Sequence, residues 1–208
     1  MTQAQKTTKE RLIDTAIDLI WESSYGAVSV DDICKAADVK KGSFYHFFPS
    51  KIDLAIAAMD EAYSQFLPIL NEIFSPSKEP LQRIMGYAQL VYDKQREISE
   101  KHGRVCGCPM VSLASEMAPQ DESIRGKTQE LIAWKKKFYL TAVRDMAAEG
   151  VFPPGTDVNV KADNIYAYII GQMTLARIMN SLEPVSYEHL CDGLMSILGL
   201  QAEAKDVA

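Results

Sequence analysis

Two thiols one residue apart, Cys106 and Cys108, stand in the run Lys101-His102-Gly103-Arg104-Val105-Cys106-Gly107-Cys108-Pro109. A thiolate is both a nucleophile and a metal ligand, and nearby cations or the positive end of a helix dipole favour it over the thiol. Lys101, His102 and Arg104 supply cations, and Cys108 lies just before a stretch, residues 112–118, whose pattern is helical. Such a thiol is nucleophilic. No metal is expected, because Cys-x-Cys with one histidine supplies at most three ligands where structural zinc takes four. The same two cysteines suit a helix start packed with small hydrophobes, and both readings stay open.

Other chemistry is absent at useful spacing. There is no G-x-S-x-G elbow, no phosphate-binding glycine loop and no H-E-x-x-H or E-x-x-H pattern, and His46, His102 and His189 are far apart. No enzyme and no cofactor is therefore expected; a small all-α enzyme is the alternative from another class. Ligand binding draws on aromatic and methionine-bearing stretches, with Phe66, Tyr92, Met110, Trp134 and Phe138 as pocket candidates. Ordinary core packing would use the same residue types. The lysine run 135–137 after Trp134 fits an anion site or a solvated helix face.

The net charge of −6 argues against a nucleic-acid partner until its distribution is considered. Residues 1–51 carry seven Lys/Arg and seven Asp/Glu, and residues 39–51 hold three lysines and no acid. Local potential, not net charge, steers DNA. Four cysteines are too few and too irregular for a disulfide framework in 208 residues, and the polar start lacks the apolar core of a secretion signal. A cytoplasmic protein with reduced thiols is the expectation.

The elements that must position these residues are all helical, about nine in number, and the length fits one large or two small domains. Apolar residues recur at helical spacing over 8–23, and Gly26 is the expected stop. Ser29 with Asp32 three residues later opens a short helix in the manner of a capping box. A break at 38–40 separates it from the aromatic run 44–48. Lys51 opens a long helix to about residue 74, which Pro68 should kink or end. Further helices are expected over 81–100, 112–118, 124–150, 158–182 and 187–200. Residues 1–51 form the first domain and 52–208 the second. Ile169 and Met173, with Leu190, Leu194 and Ile197, make apolar stripes on the last two helices, suited to a four-helix dimer interface or to an internal core.

A short helix, a tight turn and a second short helix over 29–48, buttressed by a preceding helix, is the plan of a helix-turn-helix. With Ile33, Ala36-Ala37, Gly42, Phe44-Tyr45-His46-Phe47-Phe48 and Lys51 in this order, the segment resembles the TetR family of bacterial regulators. Asp38 replaces the family's usual turn glycine; aspartate tolerates a left-handed backbone. The resemblance implies an all-α homodimeric regulator, a repressor on double-stranded operator DNA that a small-molecule or electrophilic inducer releases. It puts Lys40, Lys41, Gly42, Ser43, Tyr45, His46 and Lys51 at the DNA, and Phe44 and Phe47 in the small domain's core. A regulator controlled by a protein partner without a ligand is the alternative. The wording Gly107-Cys108 before Leu113-Ala114-Ser115-Glu116 further resembles a subgroup in which a cysteine here senses electrophiles or oxidants, although Val111-Ser112 stands where a Gly-Asn pair is common.

Overall fold

The computed structural model describes Lys6–Leu200, and among these residues there are nine α-helices, one 3-10 turn and no strand. In order they are α1 (Thr8–Glu22), α2 (Val30–Ala36), α3 (Lys41–Phe47), α4 (Lys51–Ile73), α5 (Pro80–His102), α6 (Pro109–Met117), α7 (Glu122–Ala148), α8 (Val158–Met179), the turn Glu183–Val185, and α9 (Tyr187–Leu198). None is long and apolar enough to cross a membrane. The chain packs as two compact units that are not consecutive in sequence. The first takes residues up to Pro68 and Cys108–Leu131; the second takes Ile69–Gly107 and the chain from Ile132 on.

In the first unit α1 packs on α2, α3 and α6. A capping box starts α1: Thr7 Oγ1 accepts the Glu10 N–H while the Glu10 carboxylate accepts that of Thr7, answering two of the helix's four unpaired N–H groups. Leu12, Ala16, Ile33, Phe44, Leu54 and Ile124 close one apolar core, fully shielded from water. Two expectations are corrected here. α1 stops at Glu22, before Gly26, with Ser23 as its C-cap. Phe47 does not join the core; Phe44 is buried and so is Phe48, the extended residue that ends α3, while Phe47 is 38% exposed.

Pro68 neither ends nor divides α4, which continues to Ile73. The division between the two packing units nevertheless falls directly after it. α6 starts at Pro109 rather than Ser112, proline being well suited to a first helical position whose N–H has no partner.

The second unit is built on α5, α8, α9 and the 3-10 turn. Its buried Arg83 donates to the carbonyls of Lys78 (2.8 Å) and Pro76 (3.1 Å) and pairs with Asp145, which fastens the loop before α5. The apolar stripes of α8 and α9 face this unit's own interior. Ile169, Met173, Leu190 and Leu194 are buried within the single chain, and only Ile197 of the five expected interface residues is half-buried. Among its large apolar residues α8 leaves Val160 exposed near its start and Leu175, Ile178 and Met179 exposed in its last turns.

Candidate nucleic-acid interface

Local chemistry fixes α2 first. Ser29 Oγ accepts the Asp32 N–H (3.1 Å) and the Asp32 carboxylate accepts the Ser29 N–H (2.9 Å). Hydrogen bonds from the Ser29 side chain and backbone hold the Asp32 carboxyl below the ordinary aspartate range. Ile33, Cys34 and Ala37 then turn inward, and burial pushes the Cys34 thiol up. The chain reverses at Asp38, whose φ of 51° is the left-handed conformation that its position in the turn demands. The Val39 N–H donates back to the Cys34 carbonyl (2.9 Å) and closes the turn.

α3 follows with one side anchored and the other open. Phe44 is fully buried, edge-on to Tyr45 at 5.1 Å between centroids and tilted against Phe48 at 6.0 Å. Lys40, Lys41, Gly42, Tyr45 and His46 are exposed and Ser43 is half-buried. Tyr45 offers half of its surface, and nothing lies within 4 Å of where a Gly42 side chain would stand. The first turn of α3 carries no acid. Lys41 reaches back to Asp31 on α2, Nζ to Oδ1 2.8 Å, and the hydrogen bond with that carboxylate raises its pKa. A phosphate would compete with Asp31 for the same ammonium.

Lys51 is placed differently from the other six residues expected at DNA. Its ammonium donates to the Tyr25 carbonyl and lies 3.7 Å from the centre of the Tyr25 ring. Burial lowers its pKa, against the opposing pull of Glu116 and Asp32. The residue joins the first unit's framework and not the exposed face of α3.

The thiol segment straddles the point where the two units divide. Cys106 is 2% exposed and its Sγ points to the Arg104 carbonyl at 3.6 Å. Gly107, at φ +68°, is gripped by the buried Gln95, whose amide donates to its carbonyl (3.1 Å) and accepts its N–H (3.0 Å). Asn180, the C-cap of α8, accepts the Val105 N–H at 3.0 Å. Cys108 is the N-cap of α6 and half-buried, and its side chain caps no N–H. Among the described residues no cluster of three His, Cys, Asp or Glu is arranged to hold a metal.

Of the pocket candidates, Trp134 and Phe138 are brought together at 5.0 Å, and Phe138 continues through Phe74 at 5.4 Å to Tyr87 and Tyr139. Tyr92, in the same unit, lies under Arg96. Phe66 and Met110 belong to the first unit, where Met110 packs on the core. In the lysine run, Lys136 pairs with Asp163 and Lys135 stands 5.6 Å over Tyr87. Gln95 has no signal in the sequence, and Glu116 stands there only as the end of the Leu113–Glu116 wording with no role attached, because their partners are main-chain atoms 12 and about 90 residues away.

An all-helical chain with a helix, a tight left-handed turn and a second helix seated on a closed core, its polar face open, is a helix-turn-helix regulator. Comparison with known proteins specifies the group. Residues 12–58 match the model of bacterial regulatory proteins of the tetR family, and residues 80–189, more than half of the chain, match that of the tetracyclin repressor-like C-terminal domain. The transcriptional regulator AcuR of Cereibacter sphaeroides is 32% identical over 117 residues, covering 56% of this chain and about half (52%) of that protein. The HTH-type transcriptional repressor NemR of Escherichia coli K12 is 25% identical over 179 residues, 86% of this chain and 88% of that one. The crystal structure of reduced E. coli NemR superposes with a TM-score of 0.77 at 23% identity, over 92% of this chain and 97% of the other. The chain belongs to the tetR family of bacterial regulatory proteins and is a DNA-binding transcriptional regulator, not an enzyme.

Proposed function

We propose that the protein is a homodimeric repressor that reads a two-fold symmetric operator with α3 and leaves it when the part of the chain beyond residue 51 takes up a small-molecule or thiol-reactive inducer. The division of labour is residues 1–51 for DNA and 52–208 for the inducer and the dimer. The observation that carries the reading is the two-sided α3: Phe44 holds it rigidly while Lys40, Lys41, Gly42, Ser43, Tyr45 and His46 form one continuous polar face. Lysine ammonium groups and the Tyr45 hydroxyl serve phosphates, Ser43 and His46 serve phosphates or base edges, and Gly42 lets the backbone approach. Similarity to a named repressor supports the direction of control.

Pairing of two chains is assigned to the outer face of α8, where Ile178 is 74% exposed with Leu175 and Met179 beside it. Exposed apolar area of this kind is what a second copy would cover. For the inducer, the aromatic group around Trp134 and Phe138 favours a planar apolar compound. The alternative trigger is Cys108, the more accessible thiol of the pair. Iodoacetamide separates them: it should release the wild-type protein from DNA but not the Cys106→Ser/Cys108→Ser double variant, and an equal response of the two would leave a reversible ligand as the trigger. The site of action on DNA is tested by genome-wide footprinting of the purified protein, which should return an inverted repeat with half-sites roughly one helical turn or slightly more apart. Protection without two-fold symmetry would refute the proposal.

A further inference from the structure

The peptide between Tyr25 and Gly26, in the turn that leads from α1 to α2, is gripped from two directions. From α6, the Glu116 carboxylate accepts two successive N–H groups, Oε2 from Tyr25 at 3.1 Å and Oε1 from Gly26 at 2.6 Å. From the start of α4, Lys51 donates to the carbonyl of Tyr25 and covers its ring. Residues 25 and 51 bracket α2 and α3, so this one contact closes the helix-turn-helix into a loop. A Cβ at position 26 would fall on Oε1 of Glu116, so an alanine there would have to push the carboxylate off its two N–H groups. Glu116 is half-buried, so each of its bonds is worth more than at an open surface.

We propose that Glu116 is the positioning residue through which α6 sets the helix-turn-helix for sequence-specific DNA reading. Two N–H groups depend on the same carboxylate, whose charge also favours the charged form of Lys51. Movement of α6 that withdraws Glu116 leaves both N–H groups without a protein acceptor and Lys51 without that acid. The turn ahead of α2 then loses its fixed geometry, and with it the orientation of α3 relative to α1. Transmission from α6 to the DNA-reading surface therefore runs through the main chain of residues 25–26. The inference rests on α3 being the DNA-reading helix.

Its test is a comparison of specific with non-specific binding, which a merely structural role would not move. Full-length wild type, Glu116→Gln, Glu116→Ala, Gly26→Ala and Gly26→Ala/Glu116→Ala are titrated at one fixed salt concentration. The probes are a duplex carrying the wild-type footprint and a scrambled duplex of equal length. Glu116→Gln keeps the shape but turns a donor toward an N–H, so the ratio of specific to non-specific affinity should fall about tenfold or more, the loss of charge-assisted hydrogen bonds, while non-specific affinity holds. Gly26→Ala should lower the ratio in the wild-type background and change it little once Glu116 is alanine. The proposal is overturned if Glu116→Gln keeps the wild-type ratio, if both affinities fall together, or if Gly26→Ala costs the same in both backgrounds. A wild type with no preference between the duplexes would instead refute α3 as the reading helix.

Discussion

Gly107→Ala should be among the most destabilising single-methyl changes in the chain, and its size follows from two separate terms. Gly107 has φ +68°, and an alanine held left-handed costs roughly 1–2 kcal/mol. A Cβ on it would also stand 3.2 Å from the Met173 carbonyl oxygen and 3.2 Å from Cβ of Arg177, both on α8. Neither can swing away, since one is backbone and the other the first side-chain atom; forced overpacking of this kind costs about 1–3 kcal/mol. Shifting Gly107 outward to relieve the clash would break its two bonds to buried Gln95. Gly103→Ala supplies the control, having the same φ of +68° and open space around it. Alanine's smaller unfolded-state entropy offsets each by about 0.4–1 kcal/mol, equally in both. Urea unfolding followed by far-ultraviolet circular dichroism should place Gly103→Ala about 1 kcal/mol and Gly107→Ala about 2–4 kcal/mol below wild type at unchanged slope. Equal losses in the two variants would refute the claim that the thiol segment is packed tightly onto α8.

Asp38→Gly should leave the fold intact and raise its stability by up to about 1 kcal/mol in a thermal melt, because it relieves a left-handed aspartate; a loss of that size would show that the Asp38 side chain has a structural task. Asp32 has a lowered folded pKa, so its contribution is present above the usual aspartate value of 3.8 and is lost as pH falls through the depressed folded value. Melts in the acid range should accordingly show a shallower pH dependence for Asp32→Asn than for wild type, and parallel curves would contradict the capping-box assignment. Ile178→Asp should convert the dimer to monomer in sedimentation at micromolar concentration with the helix content unchanged; a stable dimer would move the interface off the outer face of α8.

How much was legible in the sequence depended on the range of the interaction. The helix-turn-helix was readable because its determinants are local: the Ser29–Asp32 box spans three residues, the turn closes between Cys34 and Val39, and Phe44 meets Phe48 only four positions on. Periodicity also located α8 and α9. It could not say what the stripes meet, because a row such as Ile169 and Met173 buries equally well against the same chain or a second one; the structure turns that row inward and leaves Ile178 outside. Proline at position 68 suggested a break, and α4 runs on through it to Ile73. Glu116 was invisible as a functional residue, since nothing in a solvent-compatible helix residue announces two N–H groups about ninety positions away. The grouping of α6 with the helix-turn-helix is a property of long-range packing with no local trace.

Whether the exposed face of α3 holds the DNA is decided by a salt-controlled titration of the footprinted duplex with wild type, Lys41→Ala and Tyr45→Ala. Lys41 must leave Asp31 to bind phosphate, so its loss should be moderate, several-fold in affinity, and should flatten the slope of log K against log salt by about 0.9 per chain. Tyr45→Ala should weaken binding comparably with little change of slope, since a hydroxyl releases no counterion. Both variants should melt as wild type does, their side chains being outside the core. Wild-type affinity and slope in both folded variants would contradict the claim.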